Sequence, residues 1–356
     1  MRSDIAKSLI GGLVVLLSVL GCGFSEEDRV ISRVAFGSCN HQSVEQPMWD
    51  VIVERGPELF VFLGDNIYGD TEDMEVMQAK YDQLAAKPGY QALKAMCPIL
   101  ATWDDHDYGA NDAGREYPMR EESERVFLDF FEEPAGSERR RRPGVYDAVT
   151  FGPEGRRLQV ILLDTRYFRS ELPRNPKDEW PEKGRYSPME YEGATILGDA
   201  QWEWLEEVLR ERVDLRILAS SIQVIPDEHE WEKWGNFPRD RERLLRLLRG
   251  SGPGAAPAVV ISGDRHMGEI SRMDGVDQAG PDLPLVEVTS SGLTESWRGD
   301  EKAEENRYRV SGDLYRLPNF GFLTINWGEP AGGMTVEAEI GNVKGEVVLR
   351  ETVVFD

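Results

Sequence analysis

Short, uniformly apolar runs recur along the chain at Val34–Gly37, Leu59–Leu63, Ile99–Trp103, Leu158–Leu163, Leu215–Ala219 and Val259–Ile261. Runs of this length without polar alternation predict strands covered on both faces. Between them, Gln201–Arg212 and Arg239–Arg249 repeat apolar residues at helical spacing with charged residues opposite, which predicts amphipathic helices. Toward the C-terminus Gly321–Trp327, Met334–Ile340 and Glu346–Phe355 alternate in polarity and predict antiparallel strands of a half-exposed sheet. Strands alternating with helices make the chain α/β. No repeat and no linker divides it. Loops are expected at Tyr108–Met119, Ser137–Gly144, Arg169–Gly198 and Met273–Leu283, where Gly, Pro and charge concentrate. The arginine run within Glu138–Pro143 is expected on a solvated loop.

The first residues follow a different pattern. Arg2 and Lys7 precede an apolar run from Leu9 to Leu20, then Gly21 and Cys22. That run is too short to span a bilayer as a mature helix and fits the apolar region of a secretory signal. Val19-Leu20-Gly21-Cys22 resembles a bacterial lipobox, so residues 1–22 are expected to be a lipoprotein-type signal and Cys22 a lipidated membrane attachment. A plain signal or an uncleaved anchor is the alternative. Each version exports the protein, to the periplasm or the cell surface. A Cys39–Cys97 disulfide is then conceivable, with Cys97 as a small core residue the competing expectation.

Composition narrows the function. The 356 residues carry 65 Asp plus Glu against 41 Lys plus Arg, a formal charge of -24. Phosphate-backbone affinity needs the opposite balance, so nucleic-acid binding is not expected. With 40% hydrophobic residues the chain is too apolar for a disordered protein and should pack a core. An anionic substrate would meet a repulsive mean field, which only metal ions or arginines can invert locally.

Five strands end directly in polar clusters: Ala35–Gln42, Phe62–Asp70, Ala101–Asp112, Leu162–Arg169 and Ile261–Glu269. Ligands of open α/β sheets gather beyond the carboxyl ends of strands, so these segments should converge in one crevice. Their residue types suit a two-metal site. Asp65 and Asp264 each follow a strand and a glycine, while Cys39, Tyr68 and His266 add a thiolate, a phenolate and an imidazole. One carboxylate can bridge two ions about 3.5–4 Å apart.

The motifs FGSCNHQ, LGDNIYGD, TWDDHDYGANDAG, LLDTRYFRS, ASSIQV with EWEKWGNFPRDRERL, SGDRHMGEIS and EVTSSGLTESW, in that order, resemble the alkaline phosphatase D (PhoD-like) family of metallophosphatases within the calcineurin-like superfamily. The resemblance covers the chain from about Val30 and implies one phosphatase domain over residues 30–356, folded as a four-layer αββα sandwich of two mixed sheets. It implies Fe3+ on Cys39 and Tyr68, with Asp65 bridging to a second metal and Asp264 and His266 completing the cluster. The second metal is expected to be Ca2+, which suits oxygen donors. Asp105 and Asn111 are the alternative second-metal ligands, and His106 matches the catalytic-site histidine. Ser38-Cys39-Asn40 and Gly263-Asp264-Arg265-His266 stand where the wider superfamily has Asp-x-His and Gly-His-x-His. The separate N-terminal β-domain of some relatives is not expected, since the FGSC strand follows almost directly on the signal.

Other residues have paired readings. Arg166 and Arg265 either bind phosphate oxygens bidentately or pair with nearby carboxylates, and Arg166 is taken with His106 as catalytic. His41 is expected beside the cluster or as a turn cap, His229 in a substrate pocket, and Trp231 and Trp234 as pocket wall or packing. Asp164 reads as an orienting acid. Ser220-Ser221 lacks a nucleophile elbow. The expected activity is hydrolysis of phosphate esters by attack of a metal-activated water, by a monomer. A phosphodiesterase or phospholipase on the same scaffold and a non-catalytic anchored binding protein are the alternatives.

Overall fold

The chain is described by a computed structural model over residues 28–180, 184–250, 254–274, 284–297, 304–328 and 333–355. The signal expected over residues 1–22 lies outside the described residues, as does most of the loop expected at Met273–Leu283. Alternation within single strands explains the layering. In β2 (Leu59–Leu63), Leu59, Val61 and Leu63 join the core between two sheets, whereas Phe60 and Phe62 pack against helices on the outer face. The second sheet repeats the division. In β5 (Leu158–Leu162), β6 (Leu215–Ser220) and β7 (Ala258–Ser262), Val160, Ile217 and Val259 face the first sheet. Ile161, Leu218 and Val260 face helices at Gly198–Val208 and Pro238–Arg249. The result is the expected αββα sandwich.

The six-stranded sheet runs β13-β12-β11-β1-β2-β3, and the seven-stranded sheet runs β10-β8-β9-β7-β6-β5-β4. Here β1 is Arg33–Gly37 and β3 is Ile99–Thr102, both parallel to β2. In the second sheet β5, β6, β7 and β9 (Leu285–Ser290) are parallel. A parallel bridge from Ser38 to Ser291 joins the chain just beyond β1 to the chain just beyond β9, so the carboxyl ends of both parallel sets meet.

The apolar runs correspond to β1, β2, β3, β5, β6 and β7. Helices at Met48–Glu54, Met74–Ala85, Pro88–Met96 and Arg120–Phe130, and the strands β4 (Asp147–Phe151), β8 (Gly268–Met273), β9 and β10 (Arg309–Tyr315), carried no run singled out in the sequence. One expectation is corrected: β11 (Asn319–Asn326) is nearly all buried rather than half-exposed, because it pairs with both β1 and β12 (Met334–Asn342). The edge strand β13 (Val347–Phe355) keeps the predicted alternation. The arginine run is not wholly solvated either. Arg139 is buried and donates to the carbonyls of Val145 and Ala101, each at 2.7 Å. Cys39 and Cys97 are free thiols, and no helix among the described residues is long and apolar enough to cross a membrane.

The outer face of β2 sets a stability expectation. Phe62 is fully buried and meets Phe60, Trp49 and Phe131 at ring separations of 4.9, 5.8 and 5.9 Å. Phe62→Ala should destabilise the fold by about 3–5 kcal/mol through a cavity that the surrounding rings cannot close, read as a lower urea midpoint. Phe62→Leu should lose about half of that or less.

Candidate metal centre

Each of the expected clusters begins where a strand stops, and the backbone there is unusual. Cys39, Asp65, Asp264 and His266 have φ of 58, 48, 66 and 54°, the left-handed region that residues with a Cβ rarely enter. Such conformations persist where surrounding structure fixes them and concentrate at functional sites. Two glycines let the turns close. A Cβ on Gly64 (φ 97°) would lie 2.4 Å from Asp104 Cβ, and one on Gly263 would lie 2.5 Å from Ser38 Oγ.

These turns gather side chains from both sheets. Ligand atoms of Cys39, Asp65 and His266 lie within 4.8 Å of one another, as do those of Asp65, Asp105 and His106, and those of Asp104, Asp105 and Asp264. Asp65 belongs to the first two groups and Asp105 to the last two, so the groups form one continuous cluster. Cys39 Sγ sits 3.3 Å from Asp65 Oδ2 and 3.0 Å from Ser291 Oγ. Tyr68 Oη is 3.0 Å from His266 Nε2. Its ring lies between two imidazoles, His41 at 5.1 Å and His106 at 4.2 Å between centroids. His106 Nδ1 is 2.7 Å from Asp70 Oδ1.

Seven of the nine expected site residues are therefore together: Cys39, Asp65, Tyr68, Asp105, His106, Asp264 and His266. Asn111 is exposed and its amide donates to Asp112 Oδ2 at 2.6 Å. Arg166 has no exposed surface, with Nη2 2.5 Å from Asp104 and Nη1 2.7 Å from Glu232. Of its two readings, the geometry is that of carboxylate pairing. His41 combines both of its readings, stacking on Tyr68 while its Nδ1 is 3.3 Å from the Ser43 backbone N–H. Trp234 is fully buried packing. Ser221 donates to Asp104 Oδ1 at 2.6 Å and Ser220 to the Ile222 carbonyl at 2.7 Å.

Electrostatics give the cluster its chemical character. Burial pushes the Cys39 thiol up to about 12, and burial together with the Cys39 charge raises Asp65. Asp264 is raised by burial and by Asp104 and Asp105. Burial alone would lower His106, but Asp105, Asp65 and Asp70 raise it to about 11. His266 is lowered to about 4 by burial, His106 and Arg265, which keeps its imidazole neutral and able to bind a cation. Negative groups crowded in a dry site and short of positive charge fit bound cations. Asp104 Oδ2, buried without a hydrogen-bond partner, fits the same reading, and the thiol, phenol, imidazole and carboxylates are donors that metals accept.

Sequence reasoning missed the residues that hold this cluster in place. Asp107 Oδ1 accepts from the backbone N–H of Asp104 at 2.7 Å and of Asp65 at 3.1 Å, while Oδ2 accepts from the Asn66 amide Nδ2 at 2.5 Å. Glu232 joins Arg166 to Arg169, the latter at 2.9 Å, with both guanidiniums fully buried. The Asp112 backbone N–H donates to Asp105 Oδ2 at 2.6 Å, and the Asp112 carboxylate is held by Arg174 and Tyr186. The only sequence signal for Glu232 was an acid amid tryptophans in EWEKW.

Glu232→Ala should leave two buried arginines short of a counter-charge and destabilise the fold by about 3–5 kcal/mol. Urea unfolding checks this, with Glu232→Gln expected to lose less because it retains an acceptor.

Comparison with known proteins bears on the family and the fold. A family model described as PhoD-like phosphatase matches residues 34–329. Alkaline phosphatase D of Bacillus subtilis (strain 168) is 22% identical over 287 residues, covering 71% of this chain and 46% of that protein. The chain thus spans about half the length of the curated relative it matches. Among solved structures, one described as the structure of PhoD has a TM-score of 0.69 at 16% identity, covering 93% of this chain and 70% of that one. At that identity the likeness shows the fold.

Proposed function

The chain belongs to the PhoD-like phosphatase family, and from that premise we propose that it is an exported, metal-dependent phosphoesterase. One observation carries this reading: Cys39, Asp65 and His266 offer ligand atoms within 4.8 Å of one another, and Asp65 is shared with the adjoining group of Asp105 and His106. A carboxylate shared between two donor sets can bridge the two ions of a binuclear centre. Cys39, Tyr68, Asp65, Asp264 and His266 are a donor set for Fe3+. Asp65 and Asp105 offer the oxygens that suit Ca2+. Asp105 is favoured over Asn111, because the Asp112 N–H already fixes its carboxylate whereas the Asn111 amide faces solvent and Asp112.

Bound metal would supply Lewis-acid activation of water and neutralise charge on the phosphoryl group. The chain's own residues supply orientation and a proton. Asp70 holds His106 through Nδ1 and leaves Nε2 for the substrate. As a water oxygen bonds to phosphorus and the ester P–O bond breaks, His106 donates its proton to the departing oxygen. Asp104, tied by Arg166 and Ser221, and Asp107, tied to the backbone, fix the loop that carries Asp105 and His106. Arg166 acts here as a positioning residue, one carboxylate removed from the chemistry. Export rests on the sequence ahead of residue 28: the apolar run ending at Cys22 is read as a lipoprotein signal that attaches the mature protein to a membrane.

Metal analysis with paired monoester and diester assays tests the proposal. Asp65→Asn and His266→Ala should each lower bound metal and cut turnover by about a hundredfold or more while far-ultraviolet circular dichroism is unchanged. Iron held by Tyr68 and Cys39 should colour the purified protein, and a colourless, fully active zinc enzyme would overturn the iron assignment. Fractionation of cells expressing wild type and Cys22→Ser should find wild type in the membrane pellet and the variant in the soluble fraction.

A further inference from the structure

Beside the cluster, four residues in contact with Trp231 each carry a buried N–H group without an acceptor. Trp231 is covered on one face by Arg185, whose Cζ lies 3.4 Å from the ring centroid and 4.5 Å from that of Trp180. The Arg265 Cζ lies 5.3 Å from the Trp231 centroid, and Trp297 meets the ring edge-on at 5.4 Å. The Trp231 backbone N–H is 3.2 Å from His229 Nδ1, so the neutral His229 ring carries its hydrogen on Nε2. Among the described residues Arg185 Nε, His229 Nε2, Arg265 Nε and Trp297 Nε1 are all buried with no hydrogen-bond partner. Arg265 is 3% exposed and His229 6%.

Native proteins leave few such groups unsatisfied, and four donors around one ring call for an acceptor. The carboxylates nearby do not fill that role. Glu304 accepts from Arg265 Nη2 and from Trp231 Nε1 at 2.6 and 3.0 Å, leaving Arg265 Nε open. Glu230 lies 3.8 Å from Arg185 Nε, beyond hydrogen-bond length. Lys233 is turned to the carbonyls of His229 and Trp231. The group borders the cluster, because Arg265 sits between Asp264 and His266 and the Trp297 backbone N–H donates to the His266 carbonyl at 2.8 Å. A cavity of about 570 Å³ is lined by Trp180, Tyr186, His229 and Lys233 together with Asp227, Glu228 and Glu230, of which Asp227 and Glu228 are paired with Arg241 and Arg307.

We propose that Arg185, His229, Arg265 and Trp297 form an anion subsite around Trp231 that binds a second acidic group, on the leaving-alcohol side of the phosphate ester. This rests on the phosphoesterase reading above and adds the substrate class: esters whose alcohol carries an oxyanion. A guanidinium clamped between two indoles presents its N–H edge in one plane, which matches the two oxygens of a carboxylate or phosphoryl group. On a chain of charge -24 such a site gives an anionic substrate local attraction that the mean field denies it.

The holoenzyme is assayed on phenyl phosphate and 3-carboxyphenyl phosphate, and its tryptophan fluorescence is titrated with isophthalate, a dicarboxylate with nothing to hydrolyse. Wild type should prefer the carboxylated ester in kcat/KM, and isophthalate should change the fluorescence saturably. In Arg185→Gln the preference should fall about tenfold and isophthalate binding should weaken by a similar factor, with Trp297→Phe changing both in the same direction. Equal handling of the two esters together with no isophthalate response would overturn the subsite. Failure to hydrolyse either ester would overturn the phosphoesterase reading alone, since the isophthalate titration decides the subsite without turnover.

Discussion

Like charges held close together in a place that water scarcely reaches set the terms for the rest of this molecule. Asp65, Asp104, Asp105 and Asp264 crowd into linked groups with ligand atoms within 4.8 Å of one another. Two full charges at about that separation repel by roughly 3 kcal/mol at an effective dielectric of about 20. Such a cluster is tolerable only with protons, cationic side chains or metal ions among the carboxylates, and the raised proton affinities of Asp65, Asp104 and Asp264 express that demand. The chain meets part of it with His106 and Arg166. The remainder is the driving force for metal.

Keeping mutually repelling groups in register requires a stiff support, and the parallel strands supply it. Their carboxyl ends converge from two sheets joined at Ser38 and Ser291, and the turns that follow adopt left-handed backbone at Cys39, Asp65, Asp264 and His266. Local strain is held by neighbours on every side. Asp107 fixes the amides of Asp65 and Asp104, and Arg166 ties Asp104 to Glu232 across a buried pair of ion bridges. The geometry of the cluster and the stability of the fold therefore rest on the same buried contacts.

Much of this was legible in the sequence because its cause is local. Apolar runs followed by Gly-Asp or Ser-Cys mark strands that end in polar loops, and the α/β class and the gathering of Cys39, Asp65, Tyr68, Asp264 and His266 follow from reading them in order, whereas the four-layer sandwich was implied by the family resemblance. What was not legible depends on partners far along the chain. Arg139 is long and charged, and only the carbonyls at Ala101 and Val145 make it a core residue. β11 alternates like an edge strand, yet pairing on both sides buries it. Arg166 carries the same guanidinium whether it meets phosphate or carboxylate, and the presence of Glu232 opposite it cannot be read from spacing. Asn111 and Asp105 stand in one short motif, but only Asp105 points its carboxylate into the cluster.

Asp112 has a consequence for how far this scaffold is modular. Its backbone N–H holds Asp105 while its carboxylate is gripped by Arg174 and Tyr186, residues of the long segment between Arg169 and Gly198. Surface insertions are usually the parts of an enzyme that can be exchanged freely, since they touch little besides solvent. This one is fastened to a cluster carboxylate through a single intervening residue. Grafting a relative's loop in its place, or trimming it, would release Asp112 and with it the orientation of Asp105, so the insertion and the WDDHD segment must change together.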